Sequence, residues 1–142
     1  MAKCSMSGFD ELAADLKKLE QLDNDELIGE MLDAGAEIVV REWRKGIQKV
    51  VKGKRSTGAL LDSVTSSEEV FHDSDGVPAM EIYPDGRDDK GVRNIEKAFI
   101  LHYGKSGQTP TFFVDDVEAA AEDEAVEAMS EVFNDFLKKE GL

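Results

Sequence analysis

His72 and His102 are the residues of this chain whose ordinary pKa suits proton transfer near neutral pH. A serine nucleophile would need such a base beside it and an acid behind the base. Ser63 and Ser106 are the serines nearest to that description, and neither sits in a Gly-x-Ser-x-Gly elbow. A Ser-His-Asp assembly on His102 is one reading; a partly buried His102 bonded to backbone is the favoured one. Gly104-Lys105-Ser106 has the ending of a phosphate-binding loop, but Phe99 stands where that loop requires its first glycine. Asp73-Ser74-Asp75-Gly76 has part of a calcium loop, yet Pro84 and Asp85 lie near the position of the closing glutamate. A surface turn suits those four residues better. The acids of the C-terminal segment offer paired carboxylates, but at helical spacing on an Ala-rich helix they read as its wet side. Cys4 is the single cysteine, which excludes an internal disulfide and a multi-cysteine zinc site. The expectation is no catalytic, cofactor-binding or metal-binding residue, no cofactor, and no enzyme.

The elements around these residues follow from apolar spacing. Phe9, Leu12, Leu16 and Leu19 predict an amphipathic helix near 8–21, behind a flexible start at 1–7. Asp23 and Glu26 then offer an N-cap and its partner three residues on. Ile28, Met31, Leu32, Gly35, Ile38, Val39, Trp43, Ile47 and Val50 continue a stripe over ~27 residues, a helix of ~40 Å. Gly35 and Gly46 cost that helix about 1 kcal/mol each relative to Ala and are tolerable where another backbone packs close. Lys52 to Ser56 end it, and Thr57 caps a short turn through Leu60. Residues 64–71 and 77–83 predict an antiparallel hairpin around the turn 72–76, with Met80 and Ile82 on one face and Glu81 and Tyr83 on the other. The stretch 85–91 has no apolar residue and is expected to be mobile. Ile95, Ala98, Phe99 and His102 fit a short helix, although Phe99, Leu101 and Tyr103 also alternate; helix is the favoured reading, and Gly104 ends it in either case. Thr109-Pro110-Thr111 launches a last helix with Asp115 and Asp116 in its favourable first turn. Phe113, Val117, Ala120, Ala121, Ala128, Val132 and Phe136 form its buried stripe. Phe113 and Trp43 read as core anchors.

Charge narrows the partners. The chain has 142 residues, 31 acidic and 17 basic side chains, and a net charge of −14. At that length one domain with one core is expected. A protein that binds DNA by neutralising phosphates carries excess Lys and Arg, which this one lacks. No apolar run approaches the ~20 residues of a membrane span, and Met1 to Met6 lack the apolar stretch of a signal peptide. Arg41, Arg44, Lys45, Lys49, Lys52, Lys54 and Arg55 make a basic segment. Asp115, Asp116, Glu118, Glu122, Asp123, Glu124, Glu127 and Glu131 make an acidic one. Each is a solvated helix face, or the two meet between neighbouring copies, where complementary charge sets register and partner choice.

Two cassettes frame the hairpin. Thr57, Gly58, Leu60, Ser63 and Val64 make a Thr-Gly-x-Leu-x-x-Ser-Val segment. Phe99, His102, Tyr103 and Gly104 make an aromatic-x-x-aromatic-Gly segment, and Pro110 and Phe113 open the last helix as Pro-x-x-Phe. With the Phe9-led helix before them, these segments in this order resemble the tailed-phage neck and tail-completion (head–tail joining) family. His102 departs from it, since an acid is common there. The resemblance implies an α+β fold, a small antiparallel sheet packed by a long N-terminal-half helix and a C-terminal helix. It implies a structural virion or prophage protein forming a homo-oligomer, possibly a hexameric ring, at the head–tail junction or tail end. Implied partners are further copies, the head connector or adaptor, and tail-tube or tail-terminator proteins, with DNA as passing cargo and no membrane. The implied location is the virion, and the host cytoplasm during assembly. The alternative from another class is a monomeric acidic DNA mimic or regulator occupying a basic site; a hydrolase is a third. Mass in solution separates the first two.

Overall fold

A computed structural model describes residues 11–17, 25–51 and 57–141. Of the expected first helix, residues 11–17 are helical and form α1, with Leu12 and Leu16 exposed. Phe9, Leu19, Asp23, Cys4, Lys52 to Ser56, and the side chain of Thr57 lie outside the described residues, and with them the capping and flexible-start expectations. The remaining elements are α2 (Asp25–Val50), α3 (Thr57–Asp62), β1 (Val64–Ser66), β2 (Phe71–His72), β3 (Pro78–Ala79), β4 (Ile82–Pro84), α4 (Asn94–Tyr103) and α5 (Phe113–Lys139). The fold is α+β, as the resemblance implies.

The two long helices run antiparallel, and small residues let them close. A side chain at Gly46 would meet Val117 Cγ2 at 2.7 Å, and one at Gly35 would meet Met129 Cγ at 3.1 Å. Both helix-interior glycines therefore sit where α5 presses on α2, which offsets their poor propensity. On α5 the buried positions recur every four residues: Phe113, Val117, Ala121 and Ala125. Ala120, expected in that stripe, is exposed, and Ala125 takes its place. The core lies at the C-terminal end of α2 and the start of α5. Ile47, Leu60, Val64, Ala98, Phe113 and Val117 fill it, with Trp43, Val50, Ile82, Leu101 and Val114 packed around them. Trp43 meets Phe113 edge to face at 5.4 Å between ring centroids, a favourable aromatic geometry.

The short cassette after α2 turns the chain. Leu60 is buried, and the Ser63 hydroxyl donates to the Leu60 carbonyl at 2.6 Å, so this serine closes a helix end. The hairpin is present but interrupted. Val64, Thr65 and Ser66 pair with Pro84, Tyr83 and Ile82, while Phe71 and His72 pair with Ala79 and Pro78. Between those ladders Ser67 N donates to Glu81 O at 2.8 Å, leaving Glu68, Glu69 and Val70 opposite Met80 alone. The excess makes a bulge, which splits the ribbon in two. The Ser67 hydroxyl ties it down, accepting from Glu81 N at 3.1 Å and donating to Glu69 O at 3.2 Å.

Candidate functional site

α4 is held at both ends by bonds that fix which face it shows. At its start the Asn94 amide donates to Gly86 O at 3.0 Å and its side-chain Nδ2 to Asp85 O at 2.8 Å. Its last turn would leave carbonyls unpaired, as helix ends do. Instead Ile100 O accepts from Gly104 N at 2.7 Å, Leu101 O from the Thr111 hydroxyl at 2.7 Å, and His102 O from Phe112 N at 3.0 Å. Only glycine suits position 104, where φ is 78° and a Cβ would lie 2.7 Å from Gln108 O. Phe112 also has a left-handed backbone, φ 50°, directly before α5. The last helix thus opens at Phe113, later than Thr109-Pro110 suggests, because residues 111 and 112 are engaged in capping α4.

His102 is buried at that junction, and its Nδ1 accepts from Val114 N at 3.3 Å. The ring packs edge-on against Tyr103, Phe112 and Phe113. Its partner is a backbone amide at the start of α5, not a serine or a carboxylate. His72 is exposed on β2, and Ser63 bonds its own helix end. In Gly104-Lys105-Ser106 two of the amides that would wrap a phosphate, those of Gly104 and Lys105, already donate within the chain. Gly104 N binds Ile100 O, Lys105 N binds Gln108 O at 3.1 Å, and Gln108 N returns to Lys105 O at 2.9 Å. Among the described residues no group of three or more His, Cys, Asp or Glu side chains is placed to hold a metal ion.

Two turns share one design. Asp73 Oδ1 accepts from Asp75 N and Val77 N, both at 2.9 Å. Asp88 Oδ1 accepts from Lys90 N at 2.9 Å and Val92 N at 2.8 Å. Each turn ends in Gly-Val with the glycine at positive φ, Gly76 and Gly91. The expectation of a mobile 85–91 is therefore corrected: this stretch is a hydrogen-bonded turn. Arg87 donates to Gly91 O at 2.8 Å, and Asp88 pairs with Lys97 of α4. Lys97, then the Val92 amide, hold the Asp88 carboxyl below the usual carboxylate range. Polar side chains that bond their own backbone order a loop as apolar ones would.

The surface left open by this arrangement is apolar. Of the residues that predict this helix, Ala98 and His102 face inward, while Ile95 and Phe99 face out. Asn94, buried through its two bonds, sets the rotation, so Ile95, Phe99 and Tyr103 line up on the outer face. Phe99 and Tyr103 are 62% and 58% exposed, with ring centroids 4.7 Å apart. The spacing of four between these aromatics was the available signal, masked by the equally regular 94, 98 and 102. A second apolar feature is a groove between α2 and α5, where Val39, Trp43, Ile82 and Val114 stand over buried Val117 and Ala121, edged by Glu118 and Glu122.

The opposite charges of α2 and α5 meet within one chain: Arg41 pairs with Glu124, and Arg41, then Lys45, draw that carboxyl below its usual range. The expected contact between copies is replaced at this point by an internal one, because the antiparallel packing brings the two segments alongside. Arg44 donates to Val64 O at 3.3 Å. No helix among the described residues is long and apolar enough to cross a membrane.

These features define an α+β protein whose polar side chains close turns and helix ends, and whose open surface suits contact with other proteins. The chain belongs to the HK97-gp10-like family, described as "Bacteriophage HK97-gp10, putative tail-component", whose model matches residues 10–102. That span holds the first cassette, the hairpin and most of α4, while α5 lies beyond it. No curated protein and no solved structure matches the chain. Family membership agrees with the motif resemblance and supports a structural role in a phage tail.

Proposed function

We propose that this chain is a non-enzymatic virion or prophage protein that oligomerises, as a ring, at the head–tail junction or tail end, where it completes or joins the tail. Family membership carries the reading. The packing agrees with it, since His102, Ser63 and the Gly104 turn are engaged in bonds that hold elements together. The chain acts as one domain. Its neighbours are further copies, the head connector or adaptor, and tail-tube or tail-terminator proteins. It reaches them in the host cytoplasm and remains in the virion. DNA passes without being gripped, because a wall of the acidity of α5 repels phosphates.

Deleting the gene from a producing phage and imaging the lysate tests this. The expected result is full heads and separate tails, with joining restored by the chain supplied in trans. Intact infectious particles from the deletion would overturn the reading.

A further inference from the structure

We infer that the outer ridge of α4 and the groove between α2 and α5 are the two halves of a head-to-tail contact between copies of this chain. The inference rests on the oligomer reading above and specifies its surfaces. The ridge is preformed in that the Phe99 and Tyr103 rings already pack against each other, tilted, at 4.7 Å between centroids, and α4 is fixed by bonds at both ends. Little ordering cost remains to be met on docking. Its rings are exposed by more than half, the kind of large aromatic that dominates interfaces when covered.

The groove fits this occupant in three respects. Its floor is lined by Val117 and Ala121, with Trp43 at the side as an aromatic partner. Its length matches: Ile95 to Tyr103 and Val114 to Glu122 each span eight residue steps, ~12 Å of helix. Its charge is complementary at one end: Glu118 and Glu122 edge the groove and Lys105 follows the ridge, while Arg93 at the other end is paired with Glu96 at 3.6 Å. A head-to-tail contact between different patches repeats from copy to copy and closes into a ring when the rotation allows.

Two variants test this by analytical ultracentrifugation. Phe99→Asp disables the ridge and leaves the groove intact. Glu118→Arg with Glu122→Arg disables the groove and leaves the ridge intact. All three changes are at exposed positions, and circular dichroism melts verify that both variants are folded. The expected result is that each variant alone self-associates about tenfold more weakly or worse than the parent. Mixed in equal amounts, the two form a one-to-one heterodimer, because one intact ridge and one intact groove remain. A mixture that stays monomeric while the parent oligomerises overturns the inference alone, as does either variant keeping the parent's mass. A parent that stays monomeric at every concentration overturns the oligomer reading, and this contact with it.

Discussion

Asp88 holds its turn more strongly when it is ionised. Lys97 and the Val92 and Lys90 amides all favour the carboxylate, so its pKa in the folded chain is depressed. A depressed carboxyl contributes stability above its unfolded pKa and loses it as pH falls through the folded value. The protection factors of the Lys90 and Val92 amides should therefore hold from neutral pH down to about 4 and fall below it. Asp88→Ala should lower both protection factors already at neutral pH and remove their change below about pH 4, which NMR would read directly. Phe113 and Phe99 give a second contrast. Phe113 is 1% exposed against Trp43 and the α2 stripe. Phe113→Ala should cost ~3–5 kcal/mol in a denaturant melt. Phe99→Ala should leave the midpoint nearly unchanged, since its ring is already in water.

At the scale of elements, the pairing of α2 with α5 is set by residues too small to show in a hydrophobic pattern. Gly46→Ala improves helix propensity by about 1 kcal/mol but drives a methyl to 2.7 Å from Val117. Overpacking of that kind costs ~1–3 kcal/mol, so the net effect should be a lower melting temperature. Gly29, on the same helix, has nothing within 4 Å of an added Cβ. Gly29→Ala should raise the melting temperature, a gain of up to about 1 kcal/mol. The same distinction explains what the sequence made legible. Long stripes such as Ile28 to Val50 announce a helix because many residues repeat one period. α4 is ten residues long, and two faces of it repeat equally well. Asn94 chose between them through bonds to Asp85 and Gly86, contacts no periodicity encodes. The bulge at Glu68 to Val70 and the cap at Thr111 and Phe112 were hidden for the same reason, since each depends on partners remote in the chain. The turn at 85–91 was hidden differently: its polarity suggested mobility, while Asp-x-x-Gly-Val at 73–77 and again at 88–92 held the pattern of an ordered turn. A site built from catalytic side chains was not expected from sequence, and the exposed ridge appeared only once the rotation of α4 was known.

For the whole molecule, charge decides how the chain treats DNA. A net −14 would not by itself prevent a local basic face from gripping phosphates. The described basic residues of α2 are partly engaged, however: Arg41 pairs with Glu124 and Arg44 reaches Val64 O. α5 lies along the same helix and sets its acids beside them. Any phosphate approaching α2 therefore meets basic residues that are partly paired, Arg41 with Glu124 and Lys45 with Glu42, beside the acids of α5. Non-specific DNA-binding proteins reach dissociation constants of ~10⁻⁴–10⁻⁶ M at physiological salt through released counterions. This chain should show no binding to a duplex in that range by fluorescence anisotropy, and none should appear as salt is lowered. Glu124→Lys would then be informative, since it frees Arg41 and adds a base on the opposite helix. Weak, salt-sensitive DNA binding in that variant and none in the parent would show that the acids of α5 keep the basic residues of α2 from DNA. Binding by the parent, falling steeply with salt, would mean that the basic face is open and that the chain holds DNA instead of letting it pass.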